Sequence, residues 1–172
     1  MDPSSPKDEY ESWRKLHSDE RVASDIDVAT NYLLEHVIQD KAPPGHGKVA
    51  LLGFCFGGGR LVETLARDSA REFTTAVMFY GTRFDVSQAS EIGVPILIIA
   101  GDSDPLCTVE TVEALHEKIE GSKVVVYPGR GHAFAHHPHS VDDDEAAELA
   151  FSEMKKWLNH HLLSGAPGPW VE

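Results

Sequence analysis

The chain has 172 residues, of which 41% are hydrophobic and 25% charged, and a formal net charge of −13. That length and composition suit one soluble globular domain with a real core. The acidic balance argues against nucleic acid or an anionic membrane as a partner. No apolar run approaches the ~18 residues of a membrane span. The opening stretch, Met1-Asp2-Pro3-Ser4-Ser5-Pro6-Lys7-Asp8-Glu9, has no apolar signal region and is too acidic for a transit peptide. Two cysteines, Cys55 and Cys107, make no disulfide framework, so a reducing compartment, most simply the cytosol, is expected.

Residues 1–17 read as a polar, partly ordered segment in which Trp13 and Leu16 are candidate anchors. Ser18 suits an N-cap, with Asp19 and Glu20 in the first turn of a helix. Val22, Ile26, Ala29, Leu33 and Val37 recur at helical spacing, which predicts one buried face. Pro43-Pro44-Gly45 stops the helix. Gly45-His46-Gly47-Lys48 has a passing likeness to a phosphate loop, but it precedes a strand and lacks the first glycine, so it is discarded.

From Val49 to Phe54 the chain is apolar, as in a parallel strand buried on both faces. Gly53-Phe54-Cys55-Phe56-Gly57 follows the spacing of a nucleophile elbow with cysteine as the nucleophile, and a helix runs from about Gly58 to Arg67. Such a turn would aim the Phe56 N–H at a developing oxyanion, and the helix N-terminus would favour a thiolate. The bland alternative is a buried structural cysteine.

Further strands are expected at Thr75–Tyr80, at Val94–Ala100 with Pro95 near its start, and at Lys123–Tyr127. Thr108 should cap a helix that buries Val112, Leu115 and Ile119 and ends at Gly121. Asp142, Asp143, Asp144 and Glu145 read as the solvated start of a last helix carrying Ala146, Leu149, Ala150, Trp157, Leu158 and Leu162. Residues from Ser164 onward read as a loose tail. The alternation predicts an α/β fold, a parallel sheet with helices on both faces, over residues 18–163, with ligands beyond the carboxyl ends of the strands.

Three loops at those ends carry Cys55, then an aspartate, then His132, the chain order of a hydrolase triad. Asp104 and Asp102 compete for the acid position. Asp104, further into the loop, is favoured, because Asp102 is placed to bond its own turn. Cys107 reads as a small buried residue. His132, His136, His137 and His139 invite a metal reading, but they lack ligand spacing and enclose Pro138, so no metal or other cofactor is expected.

Gly53-Phe54-Cys55-Phe56-Gly57-Gly58, Tyr80-Gly81, Gly101-Asp102-Ser103-Asp104 and Gly131-His132-Ala133-Phe134 together resemble the dienelactone hydrolase (carboxymethylenebutenolidase) family of α/β-hydrolases. The likeness runs from about Trp13 to Leu163. It implies a Cys55–Asp104–His132 triad, with Phe56 as an oxyanion donor and Tyr80, Phe134 and His136 near the substrate. It also implies hydrolysis of a small-molecule lactone or activated ester through a thioester, without metal or cofactor. The family's first strands, with a glutamate near the resting cysteine and a second oxyanion donor, are not seen before Ser18. The expected fold is therefore N-terminally shortened, with Val49–Phe54 as a sheet edge and a homodimer through that edge. Where the family often carries an arginine after its histidine, this chain has His136 and His137. The alternative function is a non-catalytic interaction module.

Overall fold

The computed structural model describes residues 7–38, 47–69 and 72–163. The chain divides into two compact units, residues 1–47 and 48–172. The predicted stop at Pro43-Pro44-Gly45, the first half of the discarded Gly45–Lys48 stretch and the tail from Ser164 lie outside the described residues.

In the first unit, α1 (Lys7–Leu16) occupies ground that the sequence reads as a polar segment. Its aromatic residues recur three apart. Trp13 stacks on His17 with ring centroids 4.4 Å apart, whereas Leu16 is 70% exposed and anchors nothing. Helix α2 (Asp19–Tyr32) begins at the expected cap, the Ser18 hydroxyl accepting from Arg21 N–H, and ends in a wider π turn over Leu33–Ile38. The predicted apolar face is there but half-covered: Val22, Ile26, Leu33 and Val37 are partly exposed, Ala29 is exposed, and no residue of α2 is buried. Two helices supply too few apolar layers to close over a stripe of that length.

The second unit is a four-stranded parallel sheet in the order β1-β2-β3-β4, with β1 Ala50–Phe54, β2 Thr75–Phe79, β3 Ile96–Gly101 and β4 Lys123–Tyr127. Strands β2 and β3 are buried at every residue and supply the core. Strand β1 pairs only with β2 among the described residues, so it is an edge, and Leu52 is 44% exposed. Its apolar run therefore does not mean burial on both faces, because a strand with one neighbour is covered on fewer sides.

Helices flank both faces of the sheet. Met78 lies against α3 (Phe56–Arg67), where a Cβ at Gly58 would press on its side chain. Thr75 and Phe79, on the opposite face by strand alternation, meet α5 (Val141–Leu158). There Trp157 Nε1–H donates to Thr75 Oγ1 at 2.7 Å, and Phe151 packs on Phe79. Between β2 and β3 lies a 3₁₀ turn, Val86–Glu91, its start capped by the Asp85 carboxylate accepting from Ser87 N–H. Helix α4 (Val109–His116) is capped by Thr108 and followed by Gly121 at φ 73°. Val112, Leu115 and Ile119 are buried as expected, but Leu149 on α5 is 62% exposed.

Arg60 lies in the first turns of α3 and is almost wholly buried. Its guanidinium donates to the Arg83 carbonyl at 2.6 Å, pairs with Glu63 at 2.8 Å and sits 4.9 Å over the Phe56 ring. It thereby fastens the start of α3 to the turn after β2.

Candidate active site

Cys55 stands between the last residue of β1 and the first of α3. Its φ of 50° and ψ of −117° are costly for a residue with a side chain, on the order of 1–3 kcal/mol, and persist only where surrounding bonds fix them. Four bonds do so here. Cys55 N–H donates to Phe79 O at 3.0 Å, and its carbonyl accepts from Gly58, Gly59 and Thr82 N–H at 3.0, 3.3 and 3.0 Å. The turn is crowded on the Gly53 side, where a Cβ would come within 2.5 Å of Gly57 O, and at Gly59, where it would overlap Thr82 O. At Gly57 a Cβ would meet nothing within 4 Å. The motif's second glycine is therefore not the one that close approach requires.

Loops after β1, β3 and β4 bring together the three residues singled out by the sequence. His132 Nε2 lies 2.9 Å from Cys55 Sγ, and His132 Nδ1 lies 2.7 Å from Asp104 Oδ2. The Asp104 side chain is fully buried and His132 is 20% exposed. Asp104 Oδ1 is also fixed, accepting from Leu106 and Cys107 N–H at 2.8 and 3.2 Å. Asp102 faces elsewhere. Its Oδ1 accepts from Gly129 N–H at 2.7 Å and from the Ser103 hydroxyl at 3.0 Å, which ties the β3 and β4 loops together. These loops touch: a Cβ at Gly101 would overlap the Arg130 carbonyl.

Burial works against charge on Cys55, but the hydrogen bond and charge of His132, the Phe56 N–H and Thr82 outweigh it and hold the thiol below its usual range. Burial likewise opposes the imidazolium, yet the bonds and charges of Cys55 and Asp104 raise His132 to about 9. Both shifts favour a thiolate–imidazolium pair at neutral pH. Position at the N-terminus of α3 adds to this. Alkylation of Cys55 is therefore expected to reach its plateau at a pH below that of a free thiol, read by mass spectrometry of iodoacetamide-treated protein across pH 5–10. A profile matching a free thiol, still climbing past pH 8.5, would contradict the ion pair.

Tyr80 and Phe134 are 0% and 2% exposed, with the Tyr80 ring edge-on to His132 at 5.4 Å and to Phe134 at 5.7 Å. His136 is exposed, and its Nδ1 lies 2.5 Å from the Tyr80 hydroxyl. Cys107 is wholly buried, its thiol pushed up to about 12 by burial and then by the charges of Asp104 and Cys55. Among the described residues no group of three or more His, Cys, Asp or Glu side chains is arranged to hold a metal ion. No helix among them is long and apolar enough to cross a membrane.

Two features escape a reading of the sequence. Thr82 N–H bonds the Cys55 carbonyl from the turn after β2, a contact between residues 27 apart that no local pattern announces. Arg130 bonds Asp143 at 2.9 Å, and the Asp143 carboxylate also accepts from His139 N–H at 3.0 Å. One member of the acidic run is thus a clasp on the loop carrying His132, with its side chain only 15% exposed, rather than part of a solvated helix start.

A parallel sheet with helices on both faces, a strained residue at a strand-to-helix turn, and an acid and a histidine on the following loops define an α/β-hydrolase fold. The chain belongs to the dienelactone hydrolase family, whose model matches residues 1–162. It is 27% identical over 170 residues to a carboxymethylenebutenolidase homolog of Xenopus tropicalis, covering 93% of this chain and 65% of that protein. The chain thus spans just under two thirds of the length of that relative. Among solved structures it resembles a dienelactone hydrolase-like promiscuous phosphotriesterase from metagenomic libraries, at TM-score 0.68 and 20% identity, over 94% of this chain and 69% of that one. It also resembles a Paleococcus ferrophilus monoacylglycerol lipase, at TM-score 0.65 and 14% identity, over 84% and 76% of the two chains.

Proposed function

We propose that this chain hydrolyses a carboxylic ester or lactone through a cysteine acyl-enzyme. The observation that carries this is the continuous chain of contacts from Cys55 Sγ through His132 to Asp104, at 2.9 and 2.7 Å. The Cys55 thiolate attacks the carbonyl carbon, and the carbonyl π pair moves onto oxygen, toward the Phe56 N–H. Collapse expels the alkoxide, which takes the proton from His132 Nε2 and leaves a thioester. His132, now neutral, removes a proton from water as the hydroxide adds to the thioester. Collapse of that second adduct releases the acid and restores the thiolate beside a protonated His132. Asp104 holds Nδ1–H throughout, which keeps Nε2 the working nitrogen. Family membership supports the reaction class, as does the relative's name, since a butenolide is a lactone. Two free cysteines support a reducing, cytosolic setting.

A second reading, an interaction module without turnover, has the β1 edge in its favour, since β1 pairs only with β2 among the described residues and such an edge offers N–H and C=O groups to another chain. One experiment separates the two. The purified chain is incubated with p-nitrophenyl acetate, quenched in acid and examined by mass spectrometry. A transient acetyl group on Cys55 with continued p-nitrophenol release is expected. An unmodified Cys55 at every time point would overturn the hydrolase reading.

A further inference from the structure

The Tyr80–His136 pair lies beside His132 but takes no part in the proton transfers above. Its hydrogen bond fixes a protonation state. The Tyr80 hydroxyl is buried, and His136 Nδ1 is the partner its hydrogen bond reaches among the described residues. The single phenol proton then goes to His136 Nδ1, 2.5 Å away. A nitrogen that accepts is unprotonated, so the ring is neutral with its proton on Nε2. Protonating Nδ1 would turn it into a donor toward Tyr80, whose own proton would then need a new acceptor. Tyr80 is 0% exposed, so water does not provide one.

The groups around His136 work in the same direction. On its own loop stand His137, with ring centroids 4.9 Å away, and His132, held cationic by Cys55 and Asp104. From β1 it meets the edge of Phe54, an apolar ring 5.6 Å away, and from the end of β2 it meets Tyr80, whose ionisation burial and then the Cys55 charge push well above the usual phenol range. The nearby anions, Cys55 and Asp104, are both hydrogen-bonded to His132 and share its single positive charge, and neither bonds His136. Burial and then the two histidines lower His136 from its ordinary value.

We propose that His136 is a specificity-determining residue: a fixed, neutral Nε2–H donor, linked through Tyr80 to His132, that favours uncharged esters and lactones over substrates bearing a carboxylate. A carboxylate drawn from water needs a cation, and a neutral donor does not compensate that loss. The substrate class rests on the hydrolase reading, but the charge selection itself does not.

It can therefore be tested without ester turnover, by comparing Cys55 alkylation rates with iodoacetate and iodoacetamide in the same protein. The iodoacetate-to-iodoacetamide ratio is expected to rise roughly fivefold in His136→Arg, about one unit charge acting across a partly hydrated gap. It should stay at the wild-type value in His136→Gln. In Tyr80→Phe, which frees Nδ1, the ratio should climb between pH 7 and pH 5 more steeply than in wild type. An unmoved ratio in His136→Arg, or identical pH dependence in Tyr80→Phe and wild type, would overturn the proposal. Nitrogen-15 NMR of the unaltered protein decides independently. The Nε2–H tautomer of His136 should persist down to pH 5, and an imidazolium or Nδ1–H tautomer at pH 6 would overturn it. A Cys55 inert to both reagents would count against the hydrolase reading, while the tautomer measurement would still decide this one.

Discussion

Cys55→Ala is expected to abolish ester turnover and the acyl adduct while leaving the fold in place. The substitution removes the sulfur and nothing that fixes the turn, since the four bonds that hold residue 55 all involve its backbone. Cys55→Ser should retain less than about one thousandth of wild-type turnover, because a site that ionises a thiol does not ionise a hydroxyl. Cys55→Gly gives a separate readout. Glycine removes the cost of φ 50°, so this variant should be more stable than Cys55→Ala in thermal unfolding, by about 1 kcal/mol or more. Turnover in Cys55→Ala equal to wild type would remove Cys55 from the mechanism. Equal stability of the alanine and glycine variants would show that the turn carries no strain.

Asp104→Asn should lower kcat/KM by roughly 10³–10⁴, the scale on which a histidine locked in the wrong tautomer costs a triad. Oδ1 of Asp104 accepts two backbone N–H bonds, from Leu106 and Cys107, so an asparagine must place its carbonyl oxygen there. Its NH₂ group then faces His132 Nδ1. That nitrogen becomes an acceptor, the ring proton moves to Nε2, and the neutral imidazole cannot take a proton from the Cys55 thiol. The pH profile should change as well. In the wild type, turnover rises as Cys55 ionises, below the usual thiol range, and falls as His132 loses its proton near 9. Without the Asp104 charge the imidazolium is less favoured and the thiol ionises later, so the two limbs approach each other. Asp102→Asn keeps an acceptor for Gly129 N–H and should change kcat/KM by less than about threefold. Steady-state kinetics from pH 5 to 10 on both variants checks this, and the reverse ranking would assign the acid to Asp102.

What the sequence makes legible follows from how local the cause is. Lys123–Tyr127 forms a strand with the expected bounds because five residues rich in β-branched side chains say so themselves, and Thr108 caps α4 because a cap acts over three residues. The grouping of Cys55, Asp104 and His132 follows from parallel topology, which gathers the loops at one end of the sheet. Longer-range features are harder to see. Helix α1 has few apolar residues, so its periodicity is faint, and the 3₁₀ turn at Val86–Glu91 is too short to carry any. The half-burial of β1 reflects its having a single neighbour among the described residues. The Tyr80–His136 bond and the Arg130–Asp143 clasp depend on where loops 13 to 56 residues apart come to rest, which no window of sequence contains.

The burial of Cys107 has a consequence for the chain's response to peroxide. Oxidation of the Cys55 thiolate gives a sulfenic acid, which a second thiolate nearby would trap as a disulfide. Cys107, the other cysteine of the sequence, lies inside the core with its thiol pushed up to about 12 by burial, and is a poor trap. Repair must then come from a small thiol entering from solvent. While that thiol arrives first the damage is reversible. Once further oxidant reaches the sulfenic acid first, the sulfinic form ends the working life of the molecule.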